Sequence, residues 1–264
     1  MIIDGRKIAN DIFLETASAV QSLDRVLSLT AIVCAPNFET KRYLEMKKTK
    51  ATKVGIALRV IELPEAATTA DAVACVLAAV PNTDGIVLQL PLPAHINREI
   101  VLQAIPTELD PDGFSFGTVA GACLPPVVGA IKEIAGRNDI ALHTKKIVVL
   151  GHGRLVGAPT ALWLRQIGAE VAVLSQNDGR HLESLRQADV VVSGIGQAHF
   201  ITKSMVKDGA IVFDAGTSED GGVLVGDVHP DVADVASLFT PVPGGIGPIT
   251  IACLLQNLVS LYRQ

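Results

Sequence analysis

Aromatic residues are scarce in this chain: one Trp, two Tyr and seven Phe make up 4% of its 264 residues. A run of stacking platforms for single-stranded nucleic acid is therefore excluded. The net charge is −5, and outside Lys41 to Lys53 no stretch is basic enough to track a phosphate backbone, so no nucleic acid partner is expected. Four cysteines, Cys34, Cys75, Cys123 and Cys253, lie far apart with no C-x-x-C pair. They read as buried free thiols, not as a disulfide frame. The start, MIIDGRKIANDI, carries charges where a signal peptide needs an apolar core, and no apolar run approaches the roughly 20 residues that span a bilayer. No membrane partner is expected, and a reducing cytoplasm is the expected compartment. The six histidines show no H-x-x-x-H or Cys/His spacing, so no metal site is expected. A G-x-S-x-G elbow and a Walker A sequence are also missing.

What is present describes a folded protein. Apolar residues make up 49% and charged residues 19%, a globular balance, and the length suits two domains or one large α/β unit. Apolar positions recur at helical spacing over Ile8 to Val20, and the run Leu29 to Ala35 predicts a buried strand. A helix follows, capped by Thr40 and stopped by Gly55. Strand Ile56 to Ile61, helix Ala66 to Val80 and the fully buried strand Asp84 to Leu90 come next, the last ending in the turn Pro91-Leu92-Pro93. This alternation predicts a parallel sheet.

The segment Asp110 to Val128 is rich in Pro and Gly, which suit neither a long helix nor a central strand, so a boundary belongs near Gly121. A second series follows: helix Val127 to Ile134, strand Lys146 to Leu150, helix Ala158 to Gln166, strand Glu170 to Leu174 and helix Leu182 to Gln187. Strands Val190 to Ser193, Ile211 to Asp214 and Ser237 to Phe239 complete a small doubly wound unit. An apolar helix, Ile249 to Tyr262, closes the chain.

Strand Lys146 to Leu150 runs directly into Gly151-His152-Gly153-Arg154-Leu155-Val156-Gly157, and a helix follows. Glycines there let the backbone approach a pyrophosphate, and the helix N-terminus brings a partial positive charge. The spacing is G-x-G-x-x-x-G; a tight turn without a ligand is the plainer alternative, and the strand and helix context favours the ligand. Two further apolar strands end in glycine loops, at Gly194 and Gly196 and at Asp214 to Gly216, where open parallel sheets form their ligand crevice. Tyr43 and Lys47, four apart on a helix, project from one face. A Lys near apolar and aromatic surface has its pKa lowered toward neutrality, yet Lys41, Arg42, Lys48, Lys50 and Lys53 make the same stretch read, by spacing alone, as a solvated basic helix. Gln89 closes a buried strand, where an unbonded amide is costly. Asp112 sits in a loop either as a turn former or as a functional carboxylate.

Longer strings carry a resemblance. IIDGRKIA from Ile2, Y-x-x-x-K at Tyr43 to Lys47, DGIVLQLPLPAHI from Asp84 and LDPDGF from Leu109 occur in the first half. GHGRLVGAP from Gly151, LVGDV from Leu224 and TPVPGGIGPIT from Thr240 occur in the second. Over nearly its whole length the chain resembles the bifunctional methylenetetrahydrofolate dehydrogenase and methenyltetrahydrofolate cyclohydrolase family. The resemblance implies an α/β protein whose N-terminal domain is completed by the C-terminal helix, residues 1–121 with 249–264. A Rossmann-like parallel-sheet dinucleotide domain, residues 122–248, would be inserted, with a cleft between them.

By the same resemblance Tyr43 packs against the folate rings, Lys47 is the catalytic amine, Gln89 positions it and Asp112 meets the pterin's amino groups. Leu90, Pro91, Pro243, Gly244 and Gly245 would line the folate site. The dinucleotide would lie on Gly151, His152, Gly153, Arg154, Val156, Gly157, Ser175, Gln176, Gly194, Gly196, Asp214, Gly216 and Thr250. The implied cofactor is NADP and the substrate a tetrahydrofolate derivative, in a homodimer. Four departures from the family fall in the linker or the cofactor half. His152 stands where an arginine meets the 2′-phosphate, which leaves NAD as an alternative, and Ser175-Gln176 replaces His-Ser. The linker after Phe114 is short, with Pro126-Val127-Val128 for Cys-Thr-Pro, and Gln197-Ala198 replaces Lys-Pro. A cyclohydrolase with weak or lost dehydrogenase activity, and a non-catalytic folate or nucleotide binder, are the alternative readings.

Overall fold

The computed structural model describes every residue except 37, 176 and 178–180, and for residues 38, 39, 42 and 181 the backbone alone. The chain divides into two compact units, Asn10–Pro126 with Ile251–Gln264, and Met1–Ala9 with Val127–Thr250. Two of the three divisions fall inside the first and last helices, α1 (Gly5–Gln21) and α8 (Ile246–Tyr262), and the third falls between residues 126 and 127.

The first unit is built on β1 (Ser28–Cys34), α2 (Phe38–Lys53), β2 (Ala57–Leu63), α3 (Thr69–Ala79), β3 (Gly85–Leu88) and α4 (Arg98–Gln103). Its three strands are parallel, in the order β2-β1-β3. The apolar run of β1 is buried on both faces, as a central parallel strand requires, whereas β2 is an edge whose residues are partly exposed. The chain turns to opposite sides of β1 to place β2 and β3, so the sheet reverses direction between β1 and β3, the place where open sheets open a crevice. Thr68, not Ala66, starts α3: its hydroxyl accepts from Asp71 N while the Asp71 carboxylate accepts from Thr68 N, a capping box. Thr40, expected as a cap, lies inside α2, which begins at Phe38.

Helix α8 is apolar all round and correspondingly buried, with Leu255 and Leu258 fully enclosed. A Cβ at Gly85 would collide with Leu258, so the glycine lets α8 pack down on β3. Asn257 on α8 donates through Nδ2 to both Pro111 O and Leu124 O, each at 2.9 Å, and so ties the helix to the Pro- and Gly-rich stretch.

The second unit contains α5 (Pro126–Arg137), β4 (Lys146–Leu150), α6 (Gly157–Gln166), β5 (Glu170–Leu174), α7 (His181–Gln187), β6 (Val190–Ser193), β7 (Ile211–Asp214), the hairpin β8 (Ser218–Asp220) and β9 (Val223–Val225), and β10 (Leu238–Thr240). Five strands form one parallel sheet in the order β10-β7-β6-β4-β5. Here too the order reverses, between β4 and β6. Met1–Ala9, which the sequence reading places with the first domain, groups with this unit for a backbone reason: Ile3 N donates to Phe239 O and Phe239 N to Met1 O, both at 2.9 Å, beside β10. Among the described residues no helix is long and apolar enough to cross a membrane.

Replacing Asn257 with Ala removes the shared donor of two carbonyls. The expected cost is about 1–3 kcal/mol of unfolding free energy, read as a lower urea midpoint at unchanged slope. An unchanged midpoint would show that water serves those carbonyls equally well.

Candidate functional site

The ends of β1 and β3 position the first group of polar side chains. Parallel register sets Ile32 opposite Leu88, and one residue on Gln89 N still donates to Ile32 O at 2.8 Å. Gln89 therefore leaves the sheet with its backbone anchored. Its amide donates to Leu90 O at 3.0 Å, and its Oε1 accepts from Lys47 Nζ at 3.0 Å. Lys47 comes from α2, the helix that follows β1, and is only 7% exposed. Its Nζ also lies 4.9 Å from the centre of the Tyr43 ring, one helical turn back, within range of a cation–π contact.

Electrostatics completes the group. Burial lowers the Lys47 pKa, and the Asp112 charge opposes that without overturning it. Asp112 is raised, again chiefly by burial and with Lys47 opposing. Desolvation thus outweighs the mutual attraction on both partners, so each holds its charged form less firmly than in water. The Tyr43 hydroxyl is pushed up to about 12 by burial and by Asp112, so it stays protonated. The structure brings Tyr43, Lys47, Gln89 and Asp112 together in the first unit; the basic residues of α2 that suggested a solvated face, Lys41, Lys48 and Lys53, are exposed on it, while Lys47 is not. Leu90 is half-buried, and Pro91 is exposed after a cis peptide bond.

A second carboxylate in the same loop escaped the sequence reading. Asp110, 2% exposed, accepts from Ser115 N through Oδ2 at 3.2 Å and is pushed up to about 6 by burial and then by Asp112. Its position two residues before Asp112, in a segment otherwise forced to turn, was the available signal.

The second group lies on loops at the carboxyl ends of β4, β6 and β7. Gly151 has φ +98°, a conformation suited to glycine, and a Cβ on it would sit 3.0 Å from Gly194 O, so the loops after β4 and β6 nearly touch at the reversal point of the sheet. A Cβ at Gly157 would collide with Gly151 O, so glycine is what lets α6 begin directly over the turn. These features fit the diphosphate of a dinucleotide, which needs close backbone approach and the positive end of a helix. His152 and Gly153 are exposed, and Arg154 and Val156 are half-buried. Ser175 is exposed just past the end of β5; Gln176 lies outside the described residues. Gly196 is exposed with φ +68°.

Asp214 is fully buried, and its two oxygens accept from the backbone N–H groups of Gly216, Asp227 and Val228. Its carboxylate is consumed in shaping the loop. The Thr250 hydroxyl is likewise taken, by Ile246 O at 3.1 Å. Pro243, Gly244 and Gly245 belong to the second unit, where Gly5 N donates to Gly244 O at 2.9 Å. No group of three or more His, Cys, Asp or Glu among the described residues could hold a metal ion.

A doubly wound parallel sheet with glycine turns at its reversal point, and a second parallel α/β unit that buries a lysine against a glutamine, form the frame of a two-domain α/β protein. Residues 3–112 match the family model for the tetrahydrofolate dehydrogenase/cyclohydrolase catalytic domain, and residues 125–264 match the model for its NAD(P)-binding domain. The chain belongs to the tetrahydrofolate dehydrogenase/cyclohydrolase family. It is 37% identical to the "Bifunctional protein FolD" of Brevibacillus brevis, over all of this chain and 97% of that one. Among solved structures it is similar to the Campylobacter jejuni bifunctional methylenetetrahydrofolate dehydrogenase/cyclohydrolase, at TM-score 0.95 and 31% identity, covering 100% of this chain and 98% of that chain. The Trypanosoma brucei enzyme, solved with NADP cofactor and inhibitor, superposes at TM-score 0.92 and 30% identity, covering 100% and 97%. The chain is accordingly a methylenetetrahydrofolate dehydrogenase and methenyltetrahydrofolate cyclohydrolase with an NAD(P)-binding domain.

Proposed function

We propose that Lys47 is the acid–base group of the cyclohydrolase step, held in place by Gln89, with Tyr43 against the folate rings and Asp112 accepting from the pterin's amino groups. The observation that carries this is the 3.0 Å hydrogen bond between a buried Lys47 Nζ and Gln89 Oε1. Residues 1–121 with 249–264 would handle folate, with Leu90 and Pro91 contributing to its site. Residues 122–248, together with Thr250, would hold the dinucleotide. NADP is the proposed dinucleotide and NAD the alternative, because His152 is not an arginine. The assembly proposed is a cytoplasmic homodimer.

When bound, the oxidised nicotinamide accepts the hydride that leaves the folate's methylene carbon, which becomes a methenyl cation. The protein's part is to fix the position of that carbon. Water then adds to the cation. Lys47, as the amine, takes a proton from the attacking water; as the ammonium, it returns one to the ring nitrogen as the carbon–nitrogen bond breaks, and the remaining hydroxyl proton goes to solvent. The products are formyl-tetrahydrofolate and one proton. Gln89 suits its place because a neutral amide orients the amine without clamping it as an ammonium, as a carboxylate would. Asp112, raised by burial, keeps enough acceptor character for ring N–H donors.

Cyclohydrolase turnover should rise with pH as Lys47 loses its proton, at a pKa below the ordinary lysine value. Lys47→Met should lower kcat by about 100-fold or more, and Lys47→Arg should do the same, because a guanidinium stays protonated. Gln89→Glu should move the rising limb upward by about one pH unit or more, because a carboxylate there favours the ammonium. Wild-type kcat in Lys47→Met would overturn the assignment.

Cofactor choice is tested by titrating NAD and NADP side by side into wild type and His152→Arg. The variant should gain about tenfold in NADP affinity with little change for NAD, as an arginine facing a phosphate provides. No gain would show that position 152 does not meet the 2′-phosphate.

A further inference from the structure

A buried Asp is costly unless its oxygens are satisfied, and Asp227, fully enclosed in the second unit, is satisfied entirely by the loops that carry the proposed dinucleotide site. Its Oδ2 accepts from Ser193 Oγ, the last residue of β6, and from Ile195 N, both at 2.8 Å. Its Oδ1 accepts from Gln197 N at 2.8 Å. One carboxylate thus fastens the loop from 193 to 197 at three points, and that loop includes Gly194, whose carbonyl lies against Gly151 of the β4 turn.

Asp227 is itself held from both sides. Its N–H donates to Asp214 Oδ1 at 3.1 Å, and its carbonyl accepts from Ile201 N at 2.9 Å. Asp214, at the end of β7, receives Gly216 N at 3.0 Å on that same oxygen. The packing leaves no slack: a Cβ at Gly216 would collide with the Asp227 carboxylate, and one at Gly226 with the Asp214 carboxylate. The loops after β6 and β7 are therefore tied together through two buried carboxylates, and the β4 turn packs on the first of these loops at Gly194 O.

We infer that Asp227 is a positioning residue of the dinucleotide site, which sets the height of the β6 loop against the β4 glycine turn. The inference rests on the reading that these loops hold NAD(P). A main-chain loop that must approach a diphosphate closely gains affinity from being fixed beforehand, and three hydrogen bonds to one charged acceptor are a strong way to fix it. The residue acts through backbone placement and does not touch the ligand.

The test compares wild type, Asp227→Asn and Ser193→Ala in dinucleotide binding and in dehydrogenase kinetics. An amide presents N–H groups where donors now converge, so Asp227→Asn should weaken binding of NADP and NAD together by about tenfold or more. Its KM for methylenetetrahydrofolate should change less than about twofold, since the loss falls on one substrate only. Ser193→Ala, which removes a single tie, should give a smaller loss in the same direction, and it serves if Asp227→Asn does not fold. Cyclohydrolase turnover, which consumes no dinucleotide, reports the folded fraction of each variant. Dinucleotide affinity within twofold of wild type in a folded Asp227→Asn, or in Ser193→Ala should the Asn variant not fold, would overturn the positioning role alone. Absence of NAD and NADP binding in the wild type would overturn the dinucleotide reading and this inference with it.

Discussion

The proposed chemistry of the first unit depends on one lysine being kept out of water. Lys47 pays for its burial by losing hold of its proton, and the nearby Asp112 restores only part of that hold. Everything around it serves this compromise. A carboxylate in place of Gln89 would anchor the ammonium; the amide oxygen orients it without doing so. The Tyr43 ring lies 4.9 Å from the Nζ, where its face favours the charged form. The central sheet supplies rigidity: β3 and all of β1 past Ser28 are buried, and the bond from Gln89 N to Ile32 O carries that order one residue past the strand. Functional groups on rigid elements hold their geometry better than groups on loops, and three of the four members here sit on a helix or at a strand end.

The second unit repeats the same topological device with different side chains. In both sheets the chain crosses to opposite sides of its first strand, and the reversal opens a crevice beyond the strand ends. In the first sheet that position is occupied by an amide and an amine; in the second it is glycine, at Gly151 and Gly194. Two carboxylates of the second unit, Asp214 and Asp227, are turned inward. Asp214 and Asp227 are spent on holding loops, and the burial that pushes Asp214 up to about 7 is the cost of using carboxylates as internal fasteners.

Strands were legible where apolar runs were bounded by polar or glycine residues. Lys146–Leu150, Glu170–Leu174, Val190–Ser193 and Ile211–Asp214 fall where their patterns place them. Short elements had too few residues to show a pattern: the hairpin of Ser218–Asp220 with Val223–Val225 and the six-residue helix Arg98–Gln103 went unread, the latter though Asn97 caps it through Glu99 N and Ile100 N. Lys47 illustrates a different limit. Its local neighbours describe a solvated basic helix, and most of them are indeed exposed; what separates Lys47 is the packing of α2 beside the end of β3, a long-range relation that periodicity does not contain. Only the longer strings around Gln89 and Asp112 pointed past it. Asp227 stood in another of the strings, LVGDV from Leu224, yet its side-chain partners lie 30 to 34 residues earlier in the chain.

The most direct measurement is the titration of the Lys47 Nζ itself, followed by nitrogen-detected NMR on selectively labelled protein, in wild type and in Asp112→Asn. The expected result is a Lys47 pKa below the ordinary 10.5 in wild type, and lower again in the variant, because the charge that partly restores the ammonium is gone. A Lys47 that titrates at or above 10.5, or that does not respond to Asp112→Asn, would contradict a buried amine poised to move a proton.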